Sequence, residues 1–143
     1  MNDPHELERF IETQRPVFEE VVAELRAGRK SSHWIWFIFP QIQGLGRSAM
    51  AERFAIRSLA EAQAYLSHPI LGPRLVTCTR LVLAVEGRSI RQILGTPDDL
   101  KFRSSMTLFA RASAGDPAFT EALEKYFAGE HDPLTLARLA PKA

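Results

Sequence analysis

A single cysteine, Cys78, means that no internal disulfide can form, and a fold that stands without staples suits a reducing compartment. No apolar run approaches the roughly 20 residues of a membrane-spanning helix. The first residues, Met1-Asn2-Asp3-Pro4-His5-Glu6, are polar and acidic, so the sequence predicts no signal peptide and a cytoplasmic protein. Neither sign of charge is in excess: 18 Lys plus Arg stand against 17 Asp plus Glu, a net charge of +1. That balance gives no electrostatic reason to expect nucleic acid or an anionic membrane as a partner. The histidines (His5, His33, His68 and His131) lie far apart, and no pair has ligand spacing, so no metal is expected. Strand signals are also scarce.

What is present is concentrated in one stretch, residues 31–41. Trp34, Ile35, Trp36, Phe37, Ile38 and Phe39 run unbroken, with His33 before them and Pro40-Gln41 after. Burying each large apolar side chain contributes roughly 1.5 to 3 kcal/mol, so most of this run belongs in a core. Its composition suits a strand, but it does not alternate and no second strand is evident. A short buried helix or an extended core segment fits better.

Around that run the chain reads as helices. Asp3-Pro4 with Glu6 is a start signal, and Pro16 interrupts the apolar stripe that continues from Val17 to Leu25. Gly28 is a natural stop. Ser48 can cap a helix through Met50, Phe54 and Ile56. Ser58-Leu59-Ala60-Glu61 has the form of a capping box. Leu71, Leu75, Cys78, Val82 and Val85 keep helical spacing up to Gly87. Ser89 caps a short segment closed by Gly95. Thr96-Pro97-Asp98-Asp99 predicts a strong helix start with a core stripe of Phe102, Met106 and Phe109. Asp116-Pro117 and Asp132-Pro133 open the last two. The expected fold is all-α: one compact multihelical bundle over residues 1–143, with about seven to eight short and medium helices.

Three stretches could carry chemistry. His33, Trp34, Trp36 and Gln41 have polar handles flanking an apolar wall, the makings of a small-molecule pocket. Gly44, Gly46, Arg47 and Ser48 form a loop that could let a backbone approach an anion at a helix start, although the spacing matches neither a P-loop nor a dinucleotide fingerprint. Asp98, Lys101 and Ser105 share one helical face, with Asp99 and Ser104 beside them. His33, Asp98 and Asp99 are the candidates for moving a proton. Trp34 and Trp36 would stack on a planar ligand, and Arg47 or Lys101 would hold its anion. A Ser104–His33–Asp98 triad can be assembled on paper, but no nucleophile-elbow sequence supports it.

Taken together, Gly28-Arg29-Lys30 with Ser32-His33-Trp34, Trp36-Phe37-Ile38-Phe39-Pro40-Gln41, Gly44-Leu45-Gly46, His68-Pro69 with Leu71-Gly72, and Pro97-Asp98-Asp99 with Ser104-Ser105-Met106-Thr107-Leu108-Phe109 resemble an uncharacterised bacterial family of domains of unknown function. Its members are sometimes mislabelled calpastatin, a name that belongs to a disordered repeat inhibitor unlike this well-capped sequence. The resemblance spans nearly the whole chain and implies a mainly helical single domain. It brings no activity, cofactor or catalytic residue. The order of His68-Pro69-Ile70-Leu71, Leu75, Thr79 and Ile93-Leu94-Gly95 also resembles, more faintly, helical hydrolases acting on ADP-ribosylated bases or riboflavin-pathway intermediates.

The expected function is therefore small-molecule binding or processing, the ligand being nucleotide- or ADP-ribose-like, at a site formed by residues 31–48 and 97–107. The alternative is a non-catalytic interaction module that uses the aromatic run. A monomer or weak homodimer is expected, with no cofactor.

Overall fold

The computed structural model describes residues 3–140. Asp3 opens the fold: its Oδ1 accepts the Leu7 N–H at 2.8 Å and its Oδ2 the Glu8 N–H at 3.1 Å. Helix α1 (Glu8–Gln14) therefore begins a turn later than the Asp-Pro motif suggests. Pro16 divides it from α2 (Phe18–Arg26) rather than kinking one long helix. Gly28, at φ +74°, then reverses the chain, and Arg29 N–H returns to the Glu24 carbonyl at 3.1 Å. That left-handed conformation is one glycine adopts without a Cβ clash.

The aromatic run forms the short buried helix α3 (Ile35–Ile38), followed by α4 (Ala49–Arg53), α5 (Leu59–Ser67), α6 (Leu71–Leu83), α7 (Ile90–Leu94), α8 (Asp98–Ala112), α9 (Ala118–Phe127) and α10 (Pro133–Leu139). All ten elements among the described residues are α-helices. Ten exceeds the expected seven to eight because α3, α4 and α7 are four- and five-residue turns that are easily merged with loops. The helix expected through Ile56 stops at Arg53. Ile56 instead leaves helical geometry and pairs with Ile42 in an isolated parallel bridge, donating to the Gln41 carbonyl at 2.9 Å while its own carbonyl accepts Gln43 N–H at 2.8 Å. This bridge fixes the loop that follows α3.

Helix α8 is the centre of the bundle and packs against α3, α5, α7, α9 and α10. The predicted stripe of Phe102, Met106 and Phe109 is fully buried. Phe102 meets Phe39 edge-on at 4.8 Å, and Phe109 lies 5.3 Å from Tyr65. Tyr65 in turn takes Phe10 of α1 edge-on at 5.1 Å. The buried apolar residues make one continuous cluster from Leu7 to Leu123. Cys78 lies within it, and burial pushes its thiol up to about 12, so it stays protonated at neutral pH. Helix α6 meets α5 at a corner with no spare room. A Cβ placed on Gly72 would sit 2.1 Å from the Leu66 carbonyl oxygen.

No helix among the described residues is long and apolar enough to cross a membrane.

Candidate functional site

The segment entering the aromatic run is anchored by Glu24, which is only 8 % exposed. Its Oε1 accepts Ser31 N–H at 2.7 Å, Ser32 N–H at 3.0 Å and the Trp34 indole N–H at 3.0 Å, and its Oε2 accepts the Ser32 hydroxyl at 2.6 Å. Burial raises the pKa of this carboxyl, but the hydrogen bonds from Ser32, Ser31 and Trp34 outweigh it and hold the group at about 2. Glu24 is therefore ionised, and the 31–34 segment is built around it. Beside it, Lys30 pairs with Asp98 Oδ2 at 2.9 Å and places its ammonium 5.0 Å from the Trp34 ring centre. This tie brings the first and third candidate stretches together at the start of α8.

The two tryptophans part company here. Trp34 is 1 % exposed, packs on Phe39 and has its N–H satisfied by Glu24. It offers no face to a ligand. Trp36 is half-buried, and its indole N–H is buried without a partner among the described residues. Over its ring, 5.1 Å from the centre, sits the Lys101 ammonium.

Lys101 also lines a cleft of about 370 Å³. Gln41, Leu45 and Gly46 form one wall, fixed by the Ile42–Ile56 bridge. Pro97, Leu100, Lys101, Arg103 and Ser104 of α8 and its approach form the second, and Asp132 and Leu134 the third. Residues far apart in sequence thus converge: Gln41, Gly46 and Lys101 with Ser104 come from all three stretches singled out above, and Asp132 and Leu134 from one that was not. The cleft lies at the small end of ligand-pocket size. Leu100 and Leu134, 55 % and 65 % exposed, flank its mouth.

Its charges are not equally available. Arg103 Nε donates to the Glu130 carbonyl at 3.1 Å and its Nη2 to the His131 carbonyl at 2.8 Å. Lys101 makes no hydrogen bond among the described residues. Its nearest carboxylate oxygen, Asp98 Oδ1, is 3.8 Å away, and the other oxygen of Asp98 is already held by Lys30. Asp132 is locked on one side. Its Oδ2 accepts the Ser104 hydroxyl at 2.9 Å, Thr135 N–H at 3.2 Å and the Thr135 hydroxyl at 2.5 Å. Its backbone N–H is held by Thr107 Oγ1 at 2.9 Å.

The remaining candidates lie elsewhere. His33 is exposed, does not line the cleft and makes no hydrogen bond among the described residues. Arg47 is exposed and has no ion-pair partner among them. Ser48 is occupied as the cap of α4, accepting Ala51 N–H at 3.1 Å. Gly44, two residues from Gly46, faces a separate cleft beneath the Arg138 guanidinium. Asp99 keeps one oxygen, and Ser105 its hydroxyl, buried without a partner among the described residues, and neither lines the cleft. Ser104 meets Asp132 rather than His33 and Asp98, so the paper triad is not assembled. Sequence reasoning missed Asp132 as a site residue. Its only signal was the Asp-Pro helix start, which accounted for it as a cap.

A larger recess, about 690 Å³, opens between α5, α6 and the turn from α8 to α9. Its walls are Leu66, Val76, Ala112 and Phe119 with small loop residues, and it contains no cationic side chain. Its carboxylate, Asp116, already accepts Ala118 N–H and lies 3.5 Å from Arg80. It has more room than the Lys101 cleft and less chemistry. Among the described residues no three His, Cys, Asp or Glu side chains gather as a metal site.

The all-helical bundle around this cleft belongs to an uncharacterised family: the chain matches the family described as "Protein of unknown function (DUF1810)" over residues 4–139. Among solved structures it is similar to the conserved hypothetical protein Rv1873 from Mycobacterium tuberculosis, at 57% identity and a TM-score of 0.96 over 98% of this chain and 100% of that one. No curated protein matches the chain.

Proposed function

We propose that the chain binds or processes a small anionic metabolite of nucleotide or ADP-ribose type in the cleft between the 41–46 loop and the first turns of α8, and that it does so in the cytoplasm. The observation that carries this reading is the position of Lys101. Its ammonium lies at the cleft with no hydrogen bond among the described residues, between an indole and a carboxylate already engaged elsewhere. A ligand phosphate would give it the close anionic partner that Asp98 does not. Leu45, Leu100 and Leu134 supply apolar walls for a ring, and the buried, protonated Cys78 suits a reducing compartment.

The test is a thermal-shift and calorimetric screen with AMP, ADP-ribose and inorganic phosphate. Lys101→Met keeps the stem and removes the charge. It is expected to weaken binding by about tenfold or more, the worth of one charge-assisted hydrogen bond, while shifting the ligand-free melting temperature little. Equal binding by the variant, or no stabilisation of the native chain by any of these compounds, would refute the reading. The interaction-module alternative has less to stand on, because Trp34, Phe37 and Phe39 are buried and only Trp36 is part-exposed.

A further inference from the structure

We propose that the ligand of this cleft carries a hydroxylated sugar beside its phosphate, and that Asp132 reads those hydroxyls while Lys101 holds the phosphate. The proposal rests on the reading of the cleft as an anion site and adds the chemical class of the ligand. The two oxygens of Asp132 have different surroundings. Oδ2 is committed to Ser104 and Thr135. Oδ1 makes no hydrogen bond among the described residues and is not one of the buried unpaired atoms. The carboxylate cannot easily turn away, because Thr107 holds its backbone and Ser104 and Thr135 hold its far edge. Asp132 lines the cleft, and its fixed carboxylate keeps one oxygen free to accept from ligand donors. The contact is this side-chain oxygen, not the N–H groups of the short helix α10.

Arg103 would at first sight neutralise Asp132 or take the phosphate itself. Its Nε and Nη2 are instead spent on the carbonyls of Glu130 and His131, the two residues before Asp132. Arg103 is a positioning residue that holds the turn presenting the carboxylate. Arg103 keeps its charge and its Nη1 donors, but Lys101 is the cleft cation with no hydrogen bond among the described residues, and Asp132 adds one carboxylate oxygen with none. An anionic ligand that also satisfies a carboxylate must bring hydrogen-bond donors. Hydroxyls and ammonium groups both qualify, and Gln41 favours the hydroxyl, which can use both its donor and its acceptor. Gln41 lines the same cleft, and its side-chain amide makes no hydrogen bond among the described residues. An amide both donates and accepts, as a hydroxyl does, whereas an ammonium only donates. With apolar walls at the mouth, the combination fits a phosphorylated sugar bearing a ring, a nucleoside monophosphate being the simplest case.

The experiment is calorimetric titration of AMP, deoxy-AMP and inorganic phosphate into the native chain, Asp132→Asn and Lys101→Met. Asparagine caps a helix as well as aspartate does, so Asp132→Asn keeps α10 capped while its free atom can become a donor. The native chain is expected to prefer AMP over deoxy-AMP by about tenfold. Asp132→Asn is expected to lose that preference and bind AMP about tenfold more weakly, with inorganic phosphate affected little. The ligand-side comparison needs no variant, so the proposal stays testable even if Asp132→Asn folds poorly. Lys101-dependent binding that ignores the missing hydroxyl overturns the sugar reading and leaves the anion site standing. Binding unaffected by Lys101→Met, or no binding at all, overturns both.

Discussion

Replacing Glu24 with alanine is expected to destabilise the fold by about 4 kcal/mol and lower its melting temperature by roughly 10 °C, read by calorimetry. Two backbone N–H groups, a hydroxyl and the buried Trp34 indole lose their shared acceptor at once. Water can reach Ser31 and Ser32, but not an indole that is 1 % exposed. The effect also has a pH signature. The folded carboxyl titrates at about 2 instead of 4.5. A depressed folded pKa stabilises the native state above pH 4.5, and that stabilisation is lost as pH falls from 4.5 toward 2. The gap corresponds to roughly 3 kcal/mol. Native protein should therefore lose stability steeply across this window, and Glu24→Gln should lose it more gently. Equal slopes would remove Glu24 from its role.

Gly72→Ala is the second large expectation. The new methyl would meet the Leu66 carbonyl oxygen at 2.1 Å, with the carbonyl carbon at 3.0 Å. Both are backbone atoms, so no side chain can swing aside, and the α5–α6 corner must open. A loss of about 3 kcal/mol or more is expected, a fall of roughly 6 to 12 °C. Gly87→Ala is the comparison. Its Cβ would meet nothing within 4 Å, and its positive φ is the sole strain, so the cost is about 1 kcal/mol. Similar melting temperatures for the two variants would mean that the corner yields more readily than its geometry indicates.

These cases show which parts of the fold could be read from sequence. Helix starts set by local chemistry were legible: Ser48, Ser58, Ser89 and Asp132 each accept the N–H three residues on. The reading failed where distant partners competed for a side chain. Glu61 looked like the reciprocal half of a capping box, but its carboxylate is taken by Arg9 and Arg57 at 2.9 Å each. Thr96 looked like the cap of α8, and no side chain caps that helix. The site divides the same way. The expected site spanned residues 31–48 and 97–107, and of these only Gln41, Leu45 and Gly46 share the cleft with Pro97, Leu100, Lys101, Arg103 and Ser104. The engagement of Arg103 by Glu130 and His131, and of Asp132 by Ser104, depends on contacts 27 and 28 residues apart. No local pattern encodes those.

The unequal surroundings of the two indoles have a practical consequence. Trp34 is sealed against a carboxylate and the core, whereas Trp36 lies beneath the cation of the cleft. A molecule arriving there should perturb the emission of one fluorophore and leave the other as an internal reference. Trp34→Phe should keep the ligand-dependent signal and Trp36→Phe should abolish it, so the chain carries its own optical reporter of occupancy.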